Sequence, residues 1–387
     1  MNPRLPRRRV LGWAAASAGL LAVTAVGVGT AAVAATRVPR VARPLRLLIL
    51  GGPRFLGLHM AEHALARGHA VTFFNRGRTN ADRLPEVERI LGDRNGDLAA
   101  LAGRDWDAVI DNSGYVPRQV REVAAVLVPR VRRYLFVSSV SAYPDFAEPR
   151  DENSTVGTLS DETVETVDGA TYGPLKALCE REARVAFGEA RCTVLRPGLI
   201  VGPEDNTDRF TWWPERAARG GEFIAPGARG DGIQVVDARD LAAFAIRLVE
   251  REVGGTFNVI SPPGRFSMGQ LVDESVAAAR ALAKPAVLPQ PVWIPAPFLA
   301  EQGVQPWSEM PVWLPAEGES AAFARTSVGR ALAAGLAIRP LRDTVRDTLL
   351  WQLGRPAETR AKPRAGIDPG KEQQVLAQWR RRGAVMR

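Results

Sequence analysis

The 387 residues of this chain predict an α/β fold, a doubly wound parallel sheet with a smaller C-terminal region. Three observations carry that expectation. Short apolar runs recur along the first half of the chain, as strands buried on both faces do. Between them lie stretches of helical periodicity. The first run ends in a pair of glycines that lead directly into a helical pattern. Strands alternating with helices in this way build a parallel sheet with right-handed crossovers.

The elements follow in order. Leu45 to Leu50 is the first strand, ending at Gly51-Gly52. A helical pattern runs from Gly57 to Arg67 and is closed by Gly68. Ala70–Phe74 and Val87–Leu91 read as the next two strands, followed by a short helix over 97–102. Ala108–Asp111 is the fourth strand, and Pro117–Leu127 is a helix with proline at its start. Tyr134–Val137 is the fifth strand, ending at Ser138-Ser139. A polar stretch over 145–170 precedes a helix from Tyr172 to Phe187, and Cys192–Leu195 is the sixth strand. Beyond Arg196 helices are expected over 208–219, 238–250, 267–283 and 341–353, with short strands near 233–236 and 256–260. Residues 284–316 hold eight prolines and three tryptophans, which forbids a long regular element and suits an ordered segment lining a pocket. A last helix is expected over 372–382.

The net charge of +9 is unevenly spread. Residues 1–43 carry +7 and residues 354–387 carry +6, so the body between them is slightly acidic. A nucleic-acid footprint needs a basic face on the folded body, so nucleic acid is not an expected partner. The two cysteines, Cys179 and Cys192, have no zinc-type spacing and read as small buried apolar residues. At the N-terminus, Arg7-Arg8-Arg9-Val10-Leu11 precedes an uncharged run to Thr36 that ends near Ala32-Val33-Ala34. A basic start, an apolar middle and a small-residue end make a signal peptide, and the paired arginines point to the twin-arginine type. Residues 1–43 are therefore expected to engage export machinery, either cleaved or kept as a membrane tether, and to deliver the chain to the periplasm or another extracytoplasmic space.

The loop Gly51-Gly52-Pro53-Arg54-Phe55-Leu56-Gly57 joins the first strand to the first helix. Glycines there let backbone approach a pyrophosphate, whose charge the helix N-terminus stabilises. Gly51, Gly52, Arg54, Phe55 and Gly57 are therefore cofactor candidates. The second strand ends at Asn75 where an NAD site usually carries an acid, and Arg76 and Arg78 follow. Two guanidinium groups suit a 2′-phosphate, which favours NADP over NAD. Asp93, after the third strand, is positioned for the adenine. His59 and His63 have an i, i+4 spacing but lack a third ligand, so no metal site is expected. These observations divide the chain into a nucleotide-binding domain over 44–260, with an insertion near 203–235, a substrate-binding region over 261–353, and a basic tail over 354–387.

Tyr172 and Lys176 lie four residues apart, about one helical turn, so their side chains share a face. A nearby ammonium is expected to lower the tyrosine pKa and fit it for moving a proton, while a serine hydroxyl polarises a carbonyl. Pro174 is compatible with this helix only if Tyr172 stands at its very start.

Four segments in order carry a resemblance: Leu50–Gly57, Phe136–Tyr143, Tyr172–Lys176, and Leu195–Pro203. Together they resemble the extended short-chain dehydrogenase/reductase family, with its NAD(P)-dependent epimerases and dehydratases and their Rossmann-type fold. The Gly-Gly-x-x-Phe-x-Gly loop, Asn75–Arg78 and Asp111–Tyr115 resemble an atypical branch that includes plastid stem-loop RNA-binding relatives. The resemblance implies Ser139, Tyr172 and Lys176 as the catalytic set, with Lys176 also binding the nicotinamide ribose. It implies Pro197 and Leu199 near the nicotinamide, and Asp237 as a helix cap. The function implied is hydride transfer at a carbinol or carbonyl of a small molecule, with sugars among the candidates. Tyr115, Ser141, Tyr143, Arg209, Trp212 and Trp213 are expected to face that substrate. A non-catalytic nucleotide- or RNA-binding protein that keeps the fold is the alternative.

Overall fold

The computed structural model describes residues 39–385. The expected leader lies almost wholly outside that span. Among the described residues no helix is long and apolar enough to cross a membrane.

In chain order the first six strands are β1 (Arg46–Leu50), β2 (Ala70–Asn75), β3 (Glu88–Leu91), β4 (Trp106–Asp111), β5 (Val131–Val137) and β6 (Cys192–Pro197). Short strands follow: β7 (Leu199–Val201), β8 (Glu222–Pro226), β9 (Gly232–Ile233), β10 (Val235–Asp237), β11 (Gly255–Val259), β12 (Phe266–Ser267) and β13 (Gln290–Ile294). The helices that matter for the site are α1 (Leu56–Arg67), α2 (Pro117–Leu127), α3 (Tyr172–Phe187), α4 (Trp212–Ala218) and α5 (Ala238–Glu250).

Seven strands form one parallel sheet in the order β11-β6-β5-β4-β1-β2-β3. Strand order reverses at β1, whose neighbours are β4 and β2. The crevice at the carboxyl ends of strands beside such a reversal is where open α/β sheets bind ligands. The alternation along β1 explains the two helical layers. Leu47 and Ile49 pack with Met60 of α1 and Leu241 and Phe244 of α5. Leu48 and Leu50 face the other way, against Val120 and Val123 of α2 and Phe187 of α3. Full burial of each such side chain is worth about 1.5–3 kcal/mol. Between β3 and β4 the expected helix is a single 3-10 turn, Ala99–Leu101.

A second core gathers the rest of the chain. Trp213, Phe223, Met268 and Leu341 meet there with Leu376, and β13 pairs in parallel with β8. Neither β8 nor β13 has a sequence signature, because Glu222, Pro226 and Pro291 interrupt their apolar pattern. The stretch expected as a basic tail contributes to this core. Its terminal helix, Pro369–Val385, buries Val375 and Leu376, and Glu372 pairs with the buried Arg216 at 2.8 Å. Arg380, Arg381 and Arg382 lie on the exposed side of that helix.

Candidate active site

The glycine loop builds a cradle at the carboxyl end of β1. Gly51 adopts φ 133°, and a Cβ there would stand 2.0 Å from the Asn112 side-chain oxygen. A Cβ on Gly57 would meet the Gly52 carbonyl oxygen at 2.4 Å. Both positions therefore require glycine, one for backbone conformation and one for close approach of helix to loop. Phe55 precedes α1 with φ 46°, an uncommon value for a non-glycine residue, and its ring is buried in the sheet core.

A cleft of about 350 Å³ opens above this loop, and Gly51, Gly52, Arg54, Asn75, Arg76, Arg78 and Asp93 all line it. Asn75 organises the turn after β2: its amide nitrogen donates to the Gly51 carbonyl at 3.3 Å and its oxygen accepts from Gly77 N at 2.7 Å. Arg76 and Arg78 stand exposed on the rim. Asp93 accepts from the Asn95 backbone N–H at 3.0 Å, and this bond, with Arg76 and Arg78 nearby, holds its carboxyl below the usual range. A bare backbone cradle beside two guanidinium groups fits a dinucleotide with a phosphorylated ribose.

Tyr115, 46 % exposed, also lines the cleft. Its ring centroid is 6.4 Å from that of Tyr172. Tyr172 is the first residue of α3, which satisfies the constraint set by Pro174. Gly173 is dictated by contact, since a Cβ there would lie 1.9 Å from the Ser141 carbonyl oxygen. That approach holds the start of α3 against the turn after β5. The two serines of that turn separate in role. Ser138 donates to buried Glu180 at 2.6 Å, and Glu180 is paired with Arg196 at 2.7 Å, so Ser138 is committed to holding α3 against β6. Ser139 accepts from Ser141 N at 3.0 Å, which leaves its own proton to donate.

Lys176 corrects the expected electrostatics. Its Nζ is buried and donates to the carbonyl oxygens of Gly114 and Val137, both at 2.7 Å. Burial pushes its pKa down to about 8. The Tyr172 hydroxyl is raised rather than lowered, by burial first and by Tyr115 second, while the Ser139 hydroxyl and Arg209 pull the other way. Lys176 is not among the main influences on the phenol, where burial outweighs the lowering that the four-residue spacing suggested.

Other expected residues separate by burial. Tyr143, Trp212 and Trp213 do not face a substrate. Tyr143 bonds Asn258 at 2.8 Å, and both tryptophans belong to the second core, with Trp213 Nε1 donating to the Pro311 carbonyl at 2.8 Å. Phe55, Gly57, Pro197 and Leu199, like Ser139, Tyr172 and Lys176, are not among the residues that line the cleft. Asp237 caps α5 through Arg239 N at 2.9 Å, as expected. Both ring nitrogens of His59 are engaged, with Glu62 at 3.1 Å and the Pro203 carbonyl at 3.0 Å. Arg94 is an addition to the expected set. It lines the cleft, pairs bidentately with fully buried Asp111 at 2.7 and 2.9 Å, and its Nε is buried without a partner. Burial alone would raise the Asp111 pKa, but Arg94 and Tyr134 hold it low. The available signal is Asp111 itself, an acid closing a buried strand, which demands a cation.

Comparison with known proteins gives the family and the fold. A family model described as the NAD dependent epimerase/dehydratase family matches residues 47–259. The chain is 26% identical over 226 residues to the chloroplast stem-loop binding protein of 41 kDa b of Arabidopsis thaliana, covering 54% of this chain and 56% of that protein. It thus spans little more than half the length of that relative. It is 29% identical over 262 residues to a 2-alkyl-3-oxoalkanoate reductase of Stenotrophomonas maltophilia, covering 61% and 76%. Among solved structures, the Bordetella bronchiseptica enzyme WbmH in complex with NAD+ superposes with a TM-score of 0.57 at 16% identity, covering 81% of this chain and 99% of that one. A switch-point crevice, a glycine cradle and a helix begun by tyrosine all fall within the matched span, and the chain belongs to the NAD dependent epimerase/dehydratase family.

Proposed function

We propose that this protein is an NAD(P)-dependent oxidoreductase or epimerase that acts on a carbinol or carbonyl of a small, sugar-like substrate, with NADP as its cofactor. One observation carries the reading: the glycine-cradled cleft is lined also by Tyr115, whose ring is 6.4 Å from that of Tyr172. The cofactor, when bound, supplies or accepts a hydride. The chain would do the rest. Gly51, Gly52 and Arg54 would hold the diphosphate, and Arg76 and Arg78 the 2′-phosphate. Ser139 would donate to the substrate oxygen while Tyr172 moves the proton at its hydroxyl. A phenol held above its ordinary pKa stays protonated at neutral pH, so Tyr172 would enter carbonyl reduction as the proton donor, with Ser139 and Arg209 acting against the rise that weakens it as an acid. Lys176, bound to two carbonyls, would fix α3 against β4 and β5 and keep a positive charge behind the site.

The proposal extends to location: export through a twin-arginine-type leader in residues 1–43, tested by N-terminal sequencing of the mature chain and by its loss from the exported fraction when Arg7 and Arg8 are replaced by lysine. The function is tested by cofactor titration followed by turnover. Wild type should quench and blue-shift NADPH fluorescence on binding, and Tyr172→Phe should bind equally well but lose about 100- to 10,000-fold in turnover on any substrate found. Binding of neither NAD(H) nor NADP(H) would refute the enzyme reading and favour the RNA-binding alternative suggested by the Arabidopsis relative.

A further inference from the structure

Tyr115 belongs to both halves of the site. It lines the cofactor cleft, which Ser139, Tyr172 and Lys176 do not. Its ring centroid is also 6.4 Å from that of Tyr172 and 5.4 Å from Lys176 Nζ. The ammonium has a second aromatic neighbour, Phe136, whose ring centroid lies 4.3 Å away. The two rings differ in what lies behind them. Phe136 is fully buried in the sheet core, while Tyr115 is nearly half exposed and borders the cleft. The backbone is held on both sides of the Tyr115 ring. The Gly114 carbonyl accepts from Lys176 Nζ at 2.7 Å, and Tyr115 N donates to Gln119 Oε1 at 3.0 Å.

Lys176 is 3 % exposed, yet one of its two aromatic neighbours borders an open cleft. An aromatic face attracts a cation, and more strongly where the pair is withdrawn from water. Burial is the first cause of the fall in the Lys176 pKa. Burial first and Tyr115 second raise that of Tyr172. Hydration favours the charged form of either group. A smaller side chain at position 115 would admit cleft water to both, so a single ring controls the hydration of the proton donor and of the ammonium one turn along its helix. The ring face shields and the hydroxyl does not, which makes phenylalanine an adequate replacement.

We propose that the Tyr115 ring is the wall that keeps the water of the cofactor cleft from Lys176 and Tyr172, and that Tyr115 serves the reaction as a positioning residue acting through those two side chains. This rests on the oxidoreductase reading above and adds a residue to its machinery. The test needs no substrate. The chain has four lysines, Lys176, Lys284, Lys362 and Lys371, so acetylation of each amine can be followed by mass spectrometry. Lys284 and Lys362 are exposed and serve as internal references. Full-length wild type, Tyr115→Ala, Tyr115→Leu and Tyr115→Phe are pulsed with acetic anhydride from about pH 7 to 10, which gives Lys176 a titration midpoint and a limiting rate. Wild-type Lys176 should titrate near its value of about 8 and react about tenfold or more slowly than the references at the limit. Tyr115→Ala should raise the midpoint by about one unit and the limiting rate about tenfold. Tyr115→Leu, a shorter wall on the same loop, should fall between, and Tyr115→Phe should match wild type. An alanine or leucine profile unchanged in midpoint or in limiting rate overturns the proposal. So does a phenylalanine profile that matches alanine, or a wild-type Lys176 as reactive as the references. An NADPH fluorescence titration of the same wild-type protein tests the cofactor reading separately. No binding there, with a Lys176 profile that still depends on Tyr115, overturns that reading and keeps the wall.

Discussion

Replacing Lys176 by methionine should change how stability responds to pH. Lys176 is 3 % exposed, its Nζ donates to two backbone carbonyls, and it lies 4.3 Å from the centroid of the Phe136 ring. Burial lowers its pKa from an ordinary 10.5 to about 8. Between those values the unfolded chain holds a proton that the folded chain has released. The lysine therefore opposes folding most strongly below pH 8, and its opposition fades as pH rises toward 10.5. At about 1.4 kcal/mol for each tenfold loss of proton affinity, the penalty is about 3 kcal/mol near neutrality, and most of it is relieved by pH 10. Methionine cannot titrate, so this pH dependence disappears. It also strips the Gly114 and Val137 carbonyls of their donor, at about 1–3 kcal/mol each, but that loss is the same at every pH. Urea unfolding of both proteins at pH 7, 8, 9 and 10 separates the two effects. The stability difference should move in favour of wild type by about 2–3 kcal/mol across that range. A difference that stays constant within about 0.5 kcal/mol, or moves in favour of the variant, refutes the assignment of a buried, carbonyl-bound ammonium.

Three further outcomes are expected. Gly173→Ala forces a methyl group into the space taken by the Ser141 carbonyl, 1.9 Å away, and should lower stability by about 1–3 kcal/mol, read as a lower urea midpoint. An unchanged midpoint would mean that α3 is not wedged against the serine turn. Arg76→Gln combined with Arg78→Gln should weaken NADPH about ten- to hundredfold in a fluorescence titration and leave NADH unchanged, since only the charged hydrogen bonds to the 2′-phosphate are lost. Parallel losses for both cofactors would place the arginines elsewhere. Glu372→Gln leaves buried Arg216 without its counter-charge and should cost about 3–5 kcal/mol in urea unfolding. A change below about 0.5 kcal/mol would show that the terminal helix does not belong to the second core.

Much of the fold is legible in the sequence because it rests on local signals. Pro117, Pro174 and Asp237 mark the helix starts they occupy or constrain, and the helices 117–127, 172–187, 238–250 and 341–353 begin and end where the pattern places them. These signals act within a turn or two of chain, so a linear reading captures them. The glycine loop, the arginines after β2 and the position of Tyr172 are readable for the same reason. Contacts between distant segments are not. The choice between core and site for Trp212, Trp213 and Tyr143 depends on partners far away in sequence, and aromatic residues serve either purpose. The terminal helix reads as a basic tail because its charge is continuous along the chain, while its buried Glu372, Val375 and Leu376 are revealed only by what packs on them.

The Tyr172–Lys176 pair marks the division between the two sources of information. From the sequence alone come the nucleotide-binding α/β fold, the glycine cradle, and a tyrosine and lysine on one face of a helix that starts at the tyrosine. Spacing fixes that shared face because a helix has a constant pitch. Tertiary structure alone decides what the two residues do to each other. It buries the ammonium between the Gly114 and Val137 carbonyls and raises the phenol pKa by removing it from water. A pKa follows from burial and from every charge and dipole in reach, and those are assembled only when the chain has folded.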